Sequence, residues 1–242
     1  MEKGKINFLY ILPNLFTAAS IFLGIVSIIS ASAGQYEKAA WLIIVATVFD
    51  ALDGRVARLT HTQSKFGGEF DSLADVVAFG VAPAFLLFFS YGHDYGKFGV
   101  LVAALYVIFG AIRLARFNVI SSETEANVFI GLPIPASALF VVSWVLMFEG
   151  YTDFHSYVLV LLVFTLIAGV LMVSNVRYPS FKKVDFKKAH FVKGLFTLII
   201  LLSLIFLFPI EMLCAISTLF LLYGLVRYLY TIITKRNARP KL

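Results

Sequence analysis

The sequence predicts an all-α fold, a polytopic transmembrane bundle of about eight helices with both termini in the cytoplasm. Three observations predict it. The 242-residue chain is 60% hydrophobic and 14% charged, whereas soluble domains run near 45–50% apolar and about 25% charged. Its apolar residues fall in runs of about 20, the length that crosses a bilayer's hydrocarbon core. Its basic residues collect in alternate loops, the asymmetry that orients membrane proteins.

The runs follow one another in order. The first, Tyr10–Ala33, lacks the short apolar core and small-residue cleavage site of a signal peptide and reads as a retained helix. Lys38–Leu59 and Leu73–Tyr91 come next, joined by a loop short enough to make them antiparallel neighbours. Lys97–Phe117, Phe129–Phe148 and His155–Asn175 follow. Within the fifth run, Pro133 and Pro135 either mark a helix start, where proline is tolerated, or shape a pocket. Phe191–Phe208 and Ile210–Thr234 are separated only by Pro209 and its neighbours, which predicts a tight helical hairpin.

With the N-terminus inside and eight alternating helices, eighteen of the 20 Lys and Arg fall on the cytoplasmic side. Only Lys38 and Lys97 fall outside, where the loops carry Glu37, Asp94, Glu149, Asp153 and Glu211. The same distribution disposes of nucleic acid as a partner. The net charge of +6 lies in short loops beside apolar runs and forms no binding face. The run Tyr178–Lys193 reads as a basic loop or as a stretch lying on anionic lipid. A single cysteine, Cys214, excludes an internal disulfide and a cysteine-based zinc site. The four histidines show no metal-ligand spacing. No fixed-period repeat divides the chain, so residues 1–242 form one domain.

Against this apolar background, residues 49–79 are anomalous. Asp50 and Asp53 lie near the end of the second run, and Asp71 and Asp75 near the start of the third. Spacings of three and four put each pair on one helix face. An aspartate costs roughly 2.5–3.5 kcal/mol at the centre of a membrane helix, and less toward the interface. Four together repel one another and call for counter-charge. Hard divalent cations are the natural partners of clustered carboxylates, and paired ions recur in phosphoryl displacement. Gly54, Ala57, Gly67 and Gly68 keep bulk off this region, and Arg58 can reach a phosphate as a forked donor.

Asp50, Asp53, Gly54, Ala57, Arg58, Gly67, Asp71 and Asp75, with the gaps between them, resemble the signature of the CDP-alcohol phosphotransferase family across residues 50–75. The resemblance implies that Asp50, Asp53, Asp71 and Asp75 bind two divalent ions, Mg²⁺ or Mn²⁺, and that Asp75 is the base for the acceptor hydroxyl. It implies that Gly54, Ala57, Arg58 and Gly67 line the CDP part of the donor. It also implies release of CMP, and a homodimer.

Other segments speak to the acceptor. Arg113-Leu-Ala-Arg116-Phe-Asn118 and Gly131-Leu-Pro133-Ile-Pro135-Ala136 resemble the phosphatidylserine synthase branch, as does Leu12–Thr17 less specifically. That likeness implies CDP-diacylglycerol and L-serine as substrates, a multi-pass enzyme of the cytoplasmic membrane, and an active site facing the cytoplasm. Arg113 and Arg116, three residues apart, suit a carboxylate or phosphate, and Asn118 a polar headgroup; together they are the candidate acceptor site. The alternatives are an acceptor that already carries phosphate, such as glycerol-3-phosphate or inositol-phosphate, and, in another class, a membrane transporter.

Overall fold

The computed structural model describes residues 11–120, 128–179 and 191–237. The expectations for Lys3, Lys5, Arg239, Lys241 and most of the basic run 178–193 lie outside the described residues. Eight helical rods are present within them. They are α1 (Ile11–Ser32), α2 (Tyr36–Leu59), a long rod made of α3 (Lys65–Asp75), a π-helical turn (Val76–Val81) and α4 (Ala82–Ser90), then α5 (Lys97–Ile120), α6 (Ile134–Gly150), α7 (Val158–Val173), α8 (Phe191–Leu207) and α9 (Pro209–Asn237).

Four of these are long and apolar enough to cross a membrane, namely Ile11–Ser32, Lys65–Ser90, Lys97–Val119 and Pro209–Tyr230. At 1.5 Å per residue even 22 residues reach about 33 Å, the thickness of the hydrocarbon core. The outward surface agrees. Phe22, Ile29, Phe206, Leu219 and Val226 are all more than half exposed. A bilayer accepts such a surface and water would not. The chain is an integral membrane protein.

α1 and α2 pack closely and antiparallel because their facing residues are small. Thr17, Ser20, Gly24, Ser27 and Ala31 are buried on α1, and Ala39, Ala40, Ile43 and Ala46 on α2. Ser27 Oγ donates to the Ala39 carbonyl at 2.8 Å, and Ser20 Oγ lies 3.5 Å from the Ala46 carbonyl. Small side chains and hydroxyls are how membrane helices approach and bond one another when no water is being expelled. A Cβ at Gly24 would stand 3.0 Å from the Ala78 Cα, so α1 also presses on the π-helical turn. Pro83 withdraws the N–H that an α-helix would offer to the Phe79 carbonyl. The Tyr106 hydroxyl donates to that carbonyl instead, at 3.4 Å.

The third rod, α5, α6 and α7 close around a core that includes Phe79, Leu86, Tyr106, Ile134, Leu146, Leu162 and Met172, and α9 packs against α6. Polar contacts stitch α6 to α9, where the Ser143 and Ser217 hydroxyls are 3.1 Å apart and Trp144 Nε1 donates to Thr218 Oγ1 at 2.9 Å. The tight hairpin expected of α8 and α9 is not seen among the described residues: the Phe208 N–H donates to the Leu204 carbonyl and its carbonyl accepts the Met212 N–H, so helical bonding runs through the junction and the two helices meet only near it.

Two helix starts differ from expectation. The third rod begins at Lys65 and not at Leu73, because Ser64 caps it by accepting the Gly67 N–H at 2.9 Å. Its first two turns set Phe66 and Phe70 among Lys65, Gly67, Gly68, Glu69, Asp71 and Ser72, too polar a mixture to extend an apolar run. The fifth begins at Ile134 and not at Phe129. Val128–Ile130 (β1) instead pairs antiparallel with Arg177–Pro179 (β2), in the register Phe129 to Tyr178. Gly131 then turns the chain with φ of +80°, and Pro135 enters the first turn of α6. The ladder is also an anchor. Tyr178 is fully buried, with its ring 5.2 Å from that of Phe220 and its hydroxyl over Gly224 in α9.

A Cβ at Gly131 would run into the Met172 carbonyl oxygen as well as adopt a left-handed backbone. Gly131→Ala is therefore expected to lose about 1–3 kcal/mol of stability, read as a lower melting temperature in detergent. Gly150→Ala, where a Cβ meets nothing within 4 Å, should leave the melting temperature no lower.

Candidate active site

Asp50 and Asp53 stand one turn apart near the end of α2, and Asp71 and Asp75 one turn apart on α3. The short loop after Leu59 turns the chain back so that α3 packs on α1 and its aspartates come opposite those of α2. A carboxylate oxygen from each of Asp50, Asp53 and Asp71 falls in a group whose members all lie within 4.8 Å of one another. Asp75 stands just outside that trio, buried and within interaction range of Asp50 and Asp71. All four predicted aspartates are thus brought to one place.

One oxygen each of Asp71 and Asp75 is buried with no hydrogen-bond partner. An unsatisfied buried acceptor costs about 1–3 kcal/mol, and more when charged. Oxygen-only donors at this density suit a divalent magnesium-like cation, so the residues present fit a metal centre. No lysine or arginine forms an ion pair with any of the four among the described residues. Arg113 and Arg58 stand near enough to act on them through space.

Beside the trio opens a cavity of about 200 Å³. Gly54, Ala57, Arg58 and Gly67, the four positions expected to meet a nucleotide, all line it. A Cβ at Gly67 would approach Ser64 Oγ to 3.1 Å, whereas at Gly68 it would meet nothing within 4 Å. Both glycines keep the wall flat. Sequence reasoning missed the rest of the lining, namely Pro13, Asn14 and Thr17 from α1 and Thr62, Gln63 and Ser64 from the loop. The α1 signal was present. Asn14 and Thr17 are polar residues three apart near the start of an apolar run, which puts both on one face.

The candidate acceptor residues separate. Arg113 is 7% exposed, its Nε has no partner, its guanidinium lies 5.6 Å from the Phe117 ring centroid, and it acts on both Asp75 and Asp50. Arg116 turns elsewhere, although it lies only three residues on. Its guanidinium donates to the carbonyls of Val173, Ser174 and Ile130 and to Asn175 Oδ1, at 2.8, 2.9, 3.4 and 3.3 Å. The end of α7 leaves carbonyls without helical donors, and Arg116 supplies them. Asn118 Nδ2 donates to Glu69 Oε2 at 3.2 Å, and its amide bonds the Ser72 hydroxyl. It ties α5 to α3.

Losing the two short charged hydrogen bonds of Arg116, to the Val173 and Ser174 carbonyls, is expected to cost about 3–6 kcal/mol in Arg116→Ala, since each is worth about 1.5–3 kcal/mol. Arg113→Gln should leave the melting temperature of the purified protein near that of the parent while impairing turnover. An Arg116→Ala protein as stable as the parent would contradict the assignment of Arg116 to the scaffold.

Comparisons with known proteins agree with this geometry. Residues 10–173 match the sequence model of the CDP-alcohol phosphatidyltransferase family. A CDP-diacylglycerol–serine O-phosphatidyltransferase of Helicobacter pylori (strain 26695) is 51% identical over 234 residues, covering 94% of this chain and 95% of the relative. An archaetidylserine synthase of Methanothermobacter thermautotrophicus is 38% identical over 182 residues, 74% of each chain. A CDP-diacylglycerol–serine O-phosphatidyltransferase of Methanocaldococcus jannaschii is 41% identical over 140 residues, 58% of this chain and 63% of the relative.

Proposed function

The chain belongs to the CDP-alcohol phosphatidyltransferase family, and on that premise we propose that it transfers the phosphatidyl group of CDP-diacylglycerol to the hydroxyl of L-serine. The products are phosphatidylserine and CMP. The observation that carries serine as acceptor is the 51% identity, over nearly the whole of both chains, to a relative that bears that activity in its name. The family assignment removes the transporter reading.

Two divalent ions, Mg²⁺ or Mn²⁺, held by Asp50, Asp53, Asp71 and Asp75 would supply the charge that lets a pyrophosphate accept an attacking oxygen. The side chains divide the remaining work. Arg58 offers a forked pair of N–H donors to the donor's phosphates. Gly54, Ala57 and Gly67 leave room for the nucleotide to lie against the backbone. Arg113, buried with an unused Nε, takes the carboxylate of serine beside Asp75. Asp75 accepts the proton of the serine hydroxyl as that oxygen attacks the lipid-bearing phosphorus. The bond from that phosphorus to the bridging oxygen breaks, and CMP departs with the electron pair. Arg116 and Asn118 serve the acceptor site from behind, by fixing the end of α5.

The charge of the loops supports a cytoplasmic location for both termini and the aspartates, in the cell membrane. That side holds soluble serine and CMP, and CDP-diacylglycerol would enter laterally from the inner leaflet. We assign residues 1–242 to one domain, working as a homodimer.

Two measurements test this reading. Purified protein given CDP-diacylglycerol and Mg²⁺ or Mn²⁺ should release CMP only with serine. It should release none with glycerol-3-phosphate, inositol-phosphate or inositol, and none after chelation of the metal. Release with a phosphorylated acceptor would leave the donor chemistry in place and overturn serine. Asp75→Asn is expected to lower turnover by about 10²–10⁴-fold, the usual worth of a general base, with nucleotide binding kept. Near-normal turnover in a folded Asp75→Asn protein would remove Asp75 as the base.

A further inference from the structure

We propose that Thr17 of α1 is a positioning residue for the metal centre, and that its hydroxyl holds the Asp53 carboxylate in the orientation that faces Asp50 and Asp71. The proposal rests on the metal-dependent reading above and adds a residue that lies outside the aspartate signature.

Thr17 is 3% exposed and 36 residues from Asp53. Its Oγ1 lies 2.6 Å from Asp53 Oδ2 and 3.2 Å from the Pro13 carbonyl. A hydroxyl has one hydrogen to give. A threonine inside a helix commonly bonds the carbonyl four residues back, and Pro13 occupies that position. The distances decide otherwise. A separation of 2.6 Å is that of a charge-assisted O–H···O⁻ bond, about twice as strong as a neutral one, and the Pro13 contact is the longer by 0.6 Å. The hydrogen belongs to Asp53.

The register of α1 against α2 sets up this contact. Ser27 meets Ala39, Ser20 meets Ala46 and Thr17 meets Asp53, in antiparallel order along one face. Closely packed small residues set that register throughout the shared length of the two helices. The packed pair therefore keeps Thr17 opposite Asp53. Groups that bond a metal ligand from behind orient it, and their loss typically costs 10–100-fold in metal affinity.

The test uses the full chain in detergent or nanodiscs, with Mn²⁺ as probe and bound metal counted by electron paramagnetic resonance without substrate. Thr17→Val keeps the shape and removes the donor. Its Mn²⁺ dissociation constant should rise about tenfold or more, whereas Thr17→Ser, which keeps the hydroxyl, should stay within about twofold of the parent. In an Asp53→Asn background, Thr17→Val should bring little further loss. A Thr17→Val protein within twofold of the parent overturns the proposal. Should that variant not fold, Thr17→Ser carries the test, and a tenfold loss there overturns it equally. A parent that binds no Mn²⁺ would instead overturn the metal reading itself, and this proposal with it.

Discussion

Four carboxylates share one small volume where two membrane helices turn back on each other, and the rest of the site is arranged around their mutual repulsion. Three of them bring oxygens within 4.8 Å, and the fourth, Asp75, adjoins them. Placed so close in a medium poor in water, such charges need positive charge nearby. Among the described residues it comes from a distance, through Arg58 in the cavity wall and Arg113 on α5. A site that leaves an oxygen of Asp71 and one of Asp75 buried without a protein donor is a site shaped for cations. The glycines of α2 and α3 follow from the same demand, since a substrate's phosphates must come close to whatever the carboxylates hold.

Holding that cluster together is the task of helices whose own sequences have little chemistry. α1 lies along α2 on a run of small residues and hydroxyls, and its last polar contact reaches Asp53. The same helix presses Gly24 against the π-helical turn that begins beneath Asp75. One helix therefore braces one carboxylate from each pair. Membrane packing leaves little alternative, because lipid offers no hydrophobic reward for bringing helices together and close contact must supply the attraction.

The two arginines of α5 show how far a local pattern can mislead. Three residues apart they share a helix face, and equal roles would follow from that alone. Their long side chains diverge because each meets a different need. Arg113 finds the field of Asp75 and Asp50, while Arg116 finds the uncapped end of α7 and the strand that ends at Ile130. Arg116 thus joins three chain segments, and the ladder of β1 and β2 with buried Tyr178 extends the same clasp to α9.

The sequence alone determined the eight helical rods, the short loop that turns one aspartate-bearing helix back toward the other, and the four aspartates themselves. It also determined the small residues beside them. These features are local, or depend on one short loop, and apolar length and helical spacing read them directly. Tertiary structure alone decided which arginine faces the site, that α1 forms a wall of the cavity, and that Thr17 serves Asp53. It also decided that residues 128–130 pair as a strand and do not open a helix. Each of these depends on a partner dozens of residues away, at Val173, Asp53 or Tyr178. A periodic pattern records which face of a helix a residue occupies, but not what the folded chain places opposite that face.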